Sequence, residues 1–581
     1  MKKFGKRVLS LLLTGAMTAA LLSGCGIKKV TVLTDDDIIN NKEPIKLTVF
    51  SQTANWSGAQ TGWSAVLLKD LFNVEVTIIP DTDGAYQTRM EKGNLGDIVV
   101  WGSNGDEYKS AVDRGLLFSW DDEDLVKKFG PYITENFQDG LQANRELNDD
   151  GKCYGTGYSI TNEPGQHDTF IYDWGIRWDL YKELGYPEVK DLDDLVDVLG
   201  QMKSICPTGD DGKATYGMSI WSAWDGNMAM YPKALASAYY GYDELGYGLY
   251  DSQTGQFHDC LEEGGPYVEA LRFFNQLYQK GLLDPDSMTQ TYEDMMAKTQ
   301  KGNVFFSIFD YAGSQLFNTD EHIAQNKYMD PLVPTDASVI VYGLSTGGND
   351  RIWSIGSKAL YPEKCMQILN WLHTPEGAMT IWYGIKGLMW DYDENGNTYF
   401  TELGRTCYFD PGHDLTGVEW ISPYTGKTYT LDGTFNDGKI QMNNITWGFG
   451  AKNPESAESE CFHYSTWQSQ MGQPKNDTDA DWRAKTGANG TQAYMNTVNY
   501  TVVPVVSTYH EPARDAELEL KWNQVKTTVV NGSWNAMYAK SDAEFDSIVA
   551  KMRSDADAYG YAECVDWCRE QAAIKFSMQE G

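Results

Sequence analysis

The sequence predicts an α/β fold, because strand patterns and helix patterns alternate through the first part of the chain. Three apolar segments are typical of strands: "IKLTVF" from Ile45 and "VEVTII" from Val74 alternate with period two, and "DIVVW" ending at Trp101 is a short apolar run. Two helical segments separate them, "SAVLLKDLF", with Ser64 as the expected N-cap, and "YQTRMEK". Strands that are connected through helices pair in parallel, and open α/β sheets bind ligands beyond the carboxyl ends of their strands.

The middle of the chain has more helical character. The segments "DLYKELG" and "DLDDLVDVLGQMK" predict two helices, and the following "PYVEALRFFNQLYQKGLLD" places Tyr267, Leu271, Phe274 and Tyr278 on one helical face. A strand is predicted in "NVFFSIF". Two further helices are predicted in "PEKCMQILNWLH" and "PEGAMTIWYG", the second capped by Thr374 with proline at its first position.

Length and charge limit the classes of function. A chain of 581 residues is too long for one hydrophobic core, and its net charge is -35, from 47 basic and 82 acidic residues. Nucleic acid is excluded as a partner, because phosphate binding needs clustered lysine and arginine. Apart from Cys25, eight cysteines are scattered without a CxxC pair, so the spacing selects no disulfide pattern.

The N-terminus has the pattern of a secretory signal. A basic head, Lys2 to Arg7, precedes an apolar run that is shorter than the ~20 residues of a membrane-spanning helix. The run ends in Leu22-Ser23-Gly24-Cys25, which resembles the lipobox of bacterial lipoproteins. That resemblance implies a signal peptide over residues 1–24, a lipid on Cys25 and a polar tether over residues 25–43. An ordinary signal peptide with an incidental cysteine is the alternative interpretation.

Four segments, taken in order, carry a resemblance to a known family. They are "TFIYDWGIRWDLYKELG" from Thr169, "KGNVFFSIFDYAGSQLF" from Lys301, "PEKCMQILNWLHTPEGAMTIWYGIKGLMW" from Pro362 and the closing helical stretch from Leu520. Their order and spacing are similar to those of the large family 1 extracellular solute-binding proteins, lipoproteins that deliver oligosaccharides to ABC importers. The resemblance extends from about residue 44 through most of the chain.

The resemblance implies a periplasmic-binding-protein-like fold, with two α/β lobes, a cleft between them and chain crossings that act as a hinge. We expect the N-lobe to contain residues 44–155 and 331–357, and the C-lobe residues 156–330 and 358–581. The implied partners are an oligosaccharide, two membrane permease subunits and a cytoplasmic ATPase, with the protein a monomer anchored by lipid to the outer face of the bacterial membrane. No cofactor is implied, and the charge favours a neutral ligand over a polyanion.

A sugar site needs aromatic faces for the C–H side of a pyranose and placed polar groups for its hydroxyls. Such residues stand where predicted strands end or loops begin. Trp101 also matches a position that stacks on sugar in maltose-type members of the family. The expected ligand-binding residues are Trp56, Trp101, Trp221, Trp224, Asp225, Asp310, Tyr311, Trp382 and Tyr383. For each of them, a place in a hydrophobic core is the alternative.

Two motifs that suggest other chemistry are weaker than they look. "GLSTG" matches the nucleophile elbow of α/β-hydrolases, but that elbow needs a helix directly after its serine, and "GGND" follows Ser345. "DYDENGNTYFTE" matches the EF-hand spacing with Asp391, Asp393, Asn395 and Glu402, yet Asn-Gly between strand-like flanks predicts a hairpin. The residues after Glu402 predict no helix, so we favour the hairpin over calcium.

The family's own calcium loop is in doubt as well. The corresponding region, "CPTGDDGKATYG", keeps Asp210 and Asp211 but lacks the alternating pattern of ligands. We therefore assign neither a metal site nor a catalytic residue. Three alternatives to a sugar receptor stay open: a binding protein for peptides or another solute, a surface glycoside hydrolase, and a structural surface protein.

Overall fold

The computed structural model describes residues 43–82, 84–457, 460–506, 509 and 511–579. The predicted signal peptide, the lipidation residue Cys25 and nearly all of the tether lie outside the described residues. Within the described ranges, no helix combines the length and the apolar character that crossing a membrane requires.

Most strands are short, and the three longest have seven residues each. In chain order they are β1 (Ile45–Ser51), β2 (Gly58–Ala59), β3 (Val74–Pro80), β4 (Ile98–Val100), β5 (Gly155–Tyr158), β6 (Tyr172–Arg177), β7 (Asp243–Leu245), β8 (Gly248–Tyr250), β9 (Phe257–Asp259), β10 (Phe306–Phe309), β11 (Met329–Pro331), β12 (Val339–Tyr342), β13 (Asn349–Ile355), β14 (Trp390–Tyr392), β15 (Thr398–Phe400), β16 (Glu419–Ile421), β17 (Thr428–Thr430) and β18 (Tyr500–Val503).

The helices cover both lobes, and the longest stand near the C-terminus. The α-helices are Gly62–Phe72, Ala85–Lys92, Asp106–Asp113, Leu125–Phe129, Pro131–Asn136, Gln138–Leu147, Trp178–Glu183, Leu192–Ile205, Met230–Tyr240, Pro266–Gln279, Tyr292–Gln300, Ser314–Phe317, Asp320–Ala324, Pro362–His373, Pro375–Tyr383, Glu402–Phe409, Gln468–Met471, Asp477–Thr486, Thr491–Met495, Ala516–Met537, Asp542–Ala558 and Tyr561–Gln579. Short 3₁₀ turns occupy Asp122–Asp124, Asp310–Ala312 and Tyr464–Thr466.

The first lobe is built on a six-stranded sheet in the order β2-β3-β1-β4-β13-β5. As the pattern predicts, β1 pairs in parallel with both β3 and β4. The alternation in β3 buries Val74, Val76 and Ile78 on one face of the sheet. β13 runs antiparallel to β4 and β5, so β5 points in the same direction as β4. The predicted α/β class is therefore confirmed.

The second lobe contains smaller sheets and most of the long helices. Its sheets have the orders β10-β6-β11, β12-β18 and β7-β8-β9. The helix Pro266–Gln279 buries Tyr267, Leu271 and Phe274 of its predicted face in the core of this lobe, and Tyr278 packs against it half-buried. The C-terminal helices join the same core.

The packing of residues 358–467 differs from the expected boundary. We expected all of residues 358–581 in the C-lobe, yet Cys365, Leu369 and Trp467 are buried in one core with β1 and β3. The reason is geometric: six residues separate the end of β13 in the first sheet from the helix Pro362–His373, and the apolar stripe of this helix covers that sheet. The chain returns to the second lobe only after Trp467.

The expected return to the N-lobe at residue 331 is also displaced. β11 pairs with β6, and β12 pairs with β18, so both belong to the second lobe. The chain passes between the two cores near residues 160–170, 341–344 and 467–482. Three crossings of this kind are a suitable hinge for two rigid lobes.

Two local predictions are wrong. Ser64 is not the N-cap of the helix Gly62–Phe72. The helix begins two residues before Ser64, and Thr61 occupies the N-cap position. A helix does follow Glu402: Thr401 caps it by accepting a hydrogen bond from the Gly404 amide at 3.0 Å. A capping threonine before this polar stretch was the signal for a helix start.

Candidate functional site

A cavity of about 630 Å³ lies between the two lobes, at the ends of their strands. On the first-lobe side it is lined by residues 103–105 after β4, by Tyr158 at the end of β5 and by Asp350 at the start of β13. Because β13 is antiparallel to its neighbours, its first residues lie at the same edge as the carboxyl ends of β4 and β5. This is the edge at which open α/β sheets bind ligands.

The second lobe closes the other side of the cavity, also with strand ends. β12 and β18 are parallel, and Tyr342 and Val503 at their carboxyl ends line the cavity. Tyr342 donates a hydrogen bond to Asp243 at 3.2 Å, and Lys575 donates to the other oxygen of Asp243 at 2.8 Å. Burial, together with the charge of Asp243, raises the pKa of Tyr342, although 40% of its surface is exposed. Tyr342 therefore lies on the wall of a deep concave surface.

A glutamine connects the loops that leave the first sheet. The Gln52 side chain follows β1 directly; its oxygen accepts from the Gly102 amide at 2.9 Å, and its amide nitrogen donates to Asp81 and Glu107. Burial raises the pKa of Glu107, and the charge of Asp81 raises it further. Gln52 thus fixes the exits of β1, β3 and β4 relative to one another, and this side of the site is polar.

An aromatic platform lies on the second lobe, centred on Trp224. Trp224 is 51% exposed, and its ring is inclined by 31° to Tyr292 at 5.1 Å and by 38° to Tyr311 at 6.3 Å. Trp221 stands beneath it edge-to-face, with a 4.9 Å separation between ring centroids, and is fully buried. The three outer rings offer a broad apolar surface that is supported from below.

A row of aromatic rings connects the platform to the cavity. Tyr311 contacts Phe309 at 4.9 Å, and Phe309 contacts Tyr172 at 5.4 Å. Tyr172 is near enough to Tyr342 for their charges to interact, which contributes to the raised pKa of Tyr342. The platform and the cavity are therefore linked by contacting rings, of which Phe309 is buried.

Two carboxyl groups stand in the middle of this row. Asp310 accepts hydrogen bonds from the Tyr311 amide at 2.6 Å and from Gln315 at 2.9 Å. Asp173 lies behind it, fully buried, and accepts from Ser314 at 2.8 Å. Burial raises the pKa of both acids, and the charge of Asp173 raises that of Asp310 further.

The first lobe faces these acids with tyrosines. Tyr408 and Tyr464 are half-buried, and burial and the charge of Asp310 raise the pKa of each. The buried Tyr383 hydroxyl accepts from the Tyr464 amide at 3.0 Å, which fixes the loop that carries Tyr464. The two lobes thus present aromatic and acidic groups to each other across the cleft.

The structure brings three of the predicted site residues together, namely Trp224, Asp310 and Tyr311, on the second-lobe wall. Asp225 is adjacent to them in sequence, but both of its oxygens have protein partners. One accepts from the Met230 amide at 2.7 Å and the other from the Trp534 indole at 2.7 Å. Asp225 therefore fixes the loop of Trp224 instead of facing the cleft.

Three other predicted aromatics are core residues. Trp101 is fully buried and packs edge-to-face against Tyr86 at 6.2 Å and Tyr108 at 5.7 Å, so neither face of its ring is open. Alternation along β4 places Val99 and Trp101 together on the side that helices cover. Trp221 supports Trp224 from below, and Tyr383 is buried beneath Tyr464.

The remaining two predicted aromatics are intermediate cases. Trp56 is half-buried against the first core. Trp382 is half-buried and packs against Phe449 at 4.6 Å between ring centroids. Sequence reasoning also missed residues of the cleft, among them Gln52, Tyr342 and Asp173. The acid in the otherwise apolar "IYDWG" was the one available signal for Asp173.

The motifs for other chemistry have structural explanations. Ser345 lies in a turn, where its hydroxyl accepts from the Gly347 amide at 3.0 Å. β14 and β15 form the predicted hairpin, and Asp393 accepts from the amides of its turn at Asn395 and Asn397. Asp210 of the doubtful calcium loop is held by Lys327 and by His322. Among the described residues, no group of three or more acids, histidines or cysteines is arranged to hold a metal ion.

Two α/β lobes, three chain crossings and a cleft that both lobes line with strand ends define a binding protein of the two-lobe type. Residues 68–389, more than half of the chain, match the family described as bacterial extracellular solute-binding protein. The protein belongs to this family.

Solved structures share the whole fold at low sequence identity. The crystal structure of the alginate-binding protein AlgQ2 without calcium ion has a TM-score of 0.53 and 16% identity, covering 92% of this chain and 99% of that one. FusA of S. pneumoniae in complex with kestose has a TM-score of 0.55 and 14% identity, covering 91% and 99%. An extracellular solute-binding protein from Bifidobacterium longum subsp. infantis has a TM-score of 0.52 and 15% identity, covering 92% and 98%.

One curated relative has a sequence match. Lipoprotein LipO of Bacillus subtilis (strain 168) is 24% identical over 215 residues, which are 37% of this chain and 39% of LipO. The chain therefore matches less than half of that relative's length.

Proposed function

We propose that the protein is a lipid-anchored receptor that captures an oligosaccharide between its lobes and passes it unchanged to a permease pair driven by a cytoplasmic ATPase. The observation that carries this proposal is the exposed platform of Trp224, Tyr292 and Tyr311, joined by aromatic rings to the interlobe cavity. Pyranose rings have apolar C–H faces that lie well against such rings. The proteins AlgQ2 and FusA, which share the fold, are named or solved as saccharide binders.

Polar groups of the cleft supply the second requirement of a sugar site. Tyr158, Tyr342, Tyr408 and Tyr464 can donate and accept, and Asp350 can accept from hydroxyl groups. Because burying an unpaired hydroxyl is costly, such groups select the sugar by the positions of its hydroxyls. The two lobes carry different parts of this set, so a ligand that contacts both stabilises the closed form by its differential affinity for it.

The charge of the cavity supports a neutral ligand over a polyanion. Its lining contains Asp168, Asp243, Asp350 and Glu511 against a single lysine, Lys575, which is already bound to Asp243. Glu511 is paired as well, with Arg514 at 2.7 Å, so Asp168 and Asp350 are the lining acids that would repel a polyanion. Anchoring through Cys25 is supported by the lipobox resemblance and by the lipoprotein name of the relative LipO.

The test is a thermal-shift screen of the mature chain against neutral oligosaccharides, uronic-acid oligosaccharides and peptides of similar length. We expect neutral oligosaccharides to raise the melting temperature, because a ligand that binds only the folded state stabilises it. Mass spectrometry of the recovered ligand should show the same saccharide that was added. Peptides that bind while no saccharide does, or a saccharide that is cleaved, would contradict the proposal.

A matched pair of variants tests the platform itself. Trp224→Ala should weaken binding of the best saccharide about tenfold or more, equivalent to ~1.4 kcal/mol, measured by calorimetry. Tyr559→Ala is the control, because Tyr559 is also a half-exposed aromatic, 46% exposed, but lies at the end of the helix Asp542–Ala558. If the two variants bind the saccharide with equal affinity, the platform does not contribute to binding.

A further inference from the structure

A second, smaller pocket between the lobes differs from the cavity in its charge. Its volume is about 110 Å³, and its lining contains three bases and two acids. Arg405 lines it from the first lobe, Asp330 and Arg483 from the second, and Lys475 from the crossing near residues 467–482. The larger cavity has an acidic lining, so the two spaces favour different chemical groups.

The two acids of the pocket do not balance its three bases. Asp479 is bound through both oxygens to Arg483, at 2.8 Å and 3.1 Å, so these two charges cancel. Burial raises the pKa of Asp330 well above its ordinary value, and the charge of Asp479 raises it further. Asp330 is therefore protonated and uncharged at neutral pH. The positive charges of Arg405 and Lys475 remain.

Lys475 is the base that lacks an acid partner. Within the part of the chain that the structure describes it has no ion pair, whereas Arg405 pairs with Asp320 at 2.7 Å. The Asp320 side chain is 79% exposed, and pairs so open to water contribute little. Burial lowers the pKa of Lys475; the charge of Asp479 opposes this effect, and those of Arg405 and Arg483 add to it. An anion beside Lys475 would relieve this repulsion between bases.

Asp330 gives the pocket a hydrogen-bond donor without a partner. It is 4% exposed, and its Oδ2 atom has no hydrogen-bond partner. A protonated carboxyl group has one O–H to donate, and a buried polar group that is left unpaired is costly. Hydrogen bonds to an ionised acceptor are the strong ones. A positive charge and a free O–H donor are together suited to bind an anionic oxygen.

The pocket adjoins the aromatic platform. Gln315 lines it and donates to Asp310 at 2.9 Å, and Asp310 directly precedes Tyr311 of the platform. Tyr464, which faces Asp310 across the cleft, lines the pocket as well. The pocket is smaller than a ~150 Å³ cavity that binds benzene, so it takes a substituent and not a sugar ring. A saccharide on the platform could therefore extend a small group into it.

We propose that this pocket binds one acidic group of the oligosaccharide, such as the carboxylate of a terminal uronic acid, with Lys475 balancing its charge and Asp330 donating to it. This inference rests on the proposed function and adds a single charge to a chain that is neutral where it lies in the larger cavity. The acidic group would contact both lobes and the crossing between them, so it would favour the closed form.

The experiment compares matched saccharides by calorimetry at pH 7. Maltotetraose, cellotetraose and galactotetraose are each paired with the same chain carrying one carboxylate, at C6 of its non-reducing residue or at C1 of its reducing end. A neutral chain that the thermal-shift screen ranks higher is paired in the same way. We expect one acid-ended form of the chain that binds to be at least about tenfold tighter than the neutral form. The galacturonic acid tetramer and inorganic phosphate should both bind more weakly than that form.

Variants assign the effect to the pocket. Lys475→Met should bring the ratio of acid-ended to neutral affinity close to one while the neutral affinity stays nearly as it was, and Lys475→Gln should do the same. Lys439→Met is the matched control, because Lys439 is also half-buried with a pKa lowered by burial but lines neither the pocket nor the cavity. Asp330→Leu should reduce the ratio, whereas Asp330→Asn should preserve it, since an amide also donates.

The outcomes separate this inference from the function on which it rests. The acid pocket alone is overturned if the acid-ended chains bind no better than the neutral ones, if the ratio survives both Lys475 variants, or if Lys439→Met abolishes it equally. Phosphate that binds while the acid-ended chains gain nothing would identify a site for a free anion, and the saccharide assignment of the pocket would again be wrong. In each case the neutral chains still bind and the receptor function stands. If no saccharide of any kind binds, both fall together.

Discussion

The two walls of the cleft are built in opposite ways. On the first lobe, the predicted Trp101 is buried completely and the residues that face the cavity are polar. On the second lobe, the predicted Trp224 is half-exposed and the wall is aromatic. Both tryptophans follow apolar segments in the sequence, so the difference lies in what surrounds them. Trp101 continues the alternation of a central strand, whereas Trp224 belongs to a loop with no sheet face to join.

This difference indicates that the two walls would contact a ligand in different ways. The first-lobe wall is fixed by side-chain hydrogen bonds such as those of Gln52, and it is suited to reading the hydroxyl pattern of a ligand. The second-lobe wall offers ring surface and the acids Asp173 and Asp310. In the proposed receptor, lobe closure would bring the two sets of contacts together, because each wall carries only part of them.

Exchanging each tryptophan for alanine is the strongest test of the comparison. Trp101→Ala removes a buried indole from between Tyr86 and Tyr108, and we expect the free energy of unfolding to fall by ~3–5 kcal/mol. Trp224→Ala should lower it by less than about 1 kcal/mol, because half of that ring is in water already. Urea denaturation of the two variants measures both values. Equal losses would show that the two tryptophans do not differ in the way described.

The same contrast explains how far sequence reasoning reached. The strands β1, β3 and β4, their parallel pairing and the Thr374 cap follow from local patterns, and the structure confirms them. Whether Trp101 or Trp224 meets solvent depends on which helices cover a sheet face, and no local pattern records that. For the same reason the helix Pro362–His373 was assigned to the wrong lobe, since its stripe shows that it is buried but not against what.

Residues of the candidate site were predictable only where a side chain type was unusual for its place, and their role in binding stays a prediction. Aromatic residues beside glycine in a loop pointed to Trp224, and an acid after an apolar strand pointed to Asp310. Gln52 and Tyr342 are ordinary residues at strand ends. Gln52 bonds to residues 29 to 55 positions away and Tyr342 to one 99 positions away, so their role comes from separate chain segments that meet at one edge. Long-range packing of this kind is what a single sequence leaves undetermined.

Acid should affect the two lobes in opposite directions. Burial lowers the pKa of His373 in the first core to about 4, while its ring nitrogens bond to the Leu369 carbonyl at 2.7 Å and to the Thr156 hydroxyl at 2.9 Å. The unfolded chain binds a proton at this histidine as the pH falls through about 6.5, whereas the folded chain does so only near 4, so stability is lost as the pH falls. At pH 5 the loss is about 2 kcal/mol.

The acids of the second lobe titrate with the opposite sign. The pKa values of Asp173 and Asp310 are raised, so the folded chain holds protons that the unfolded chain releases, and stability is lost as the pH rises. The measurement is the change in unfolding free energy between pH 7 and pH 5. His373→Gln should remove about 2 kcal/mol of acid destabilisation, and Asp310→Asn should instead make it larger. Identical pH dependence of both variants and the parent chain would contradict the assignment.

Gln52 gives the smallest and most specific test of the first-lobe wall. Gln52→Ala removes one hydrogen bond from the Gly102 amide and leaves Asp81 and Glu107 without the amide between them, so we expect a loss of ~1 kcal/mol in unfolding free energy. Saccharide affinity should also fall several-fold, by more than the change in folding stability explains. The reason is that the exits of β1, β3 and β4 are no longer held in one arrangement. Gln142→Ala, on an exposed helix where the amide bonds only to Glu146, is the control. If both variants bind equally well, the polar wall does not need Gln52 to hold its shape, and the ring surface of the second lobe dominates recognition.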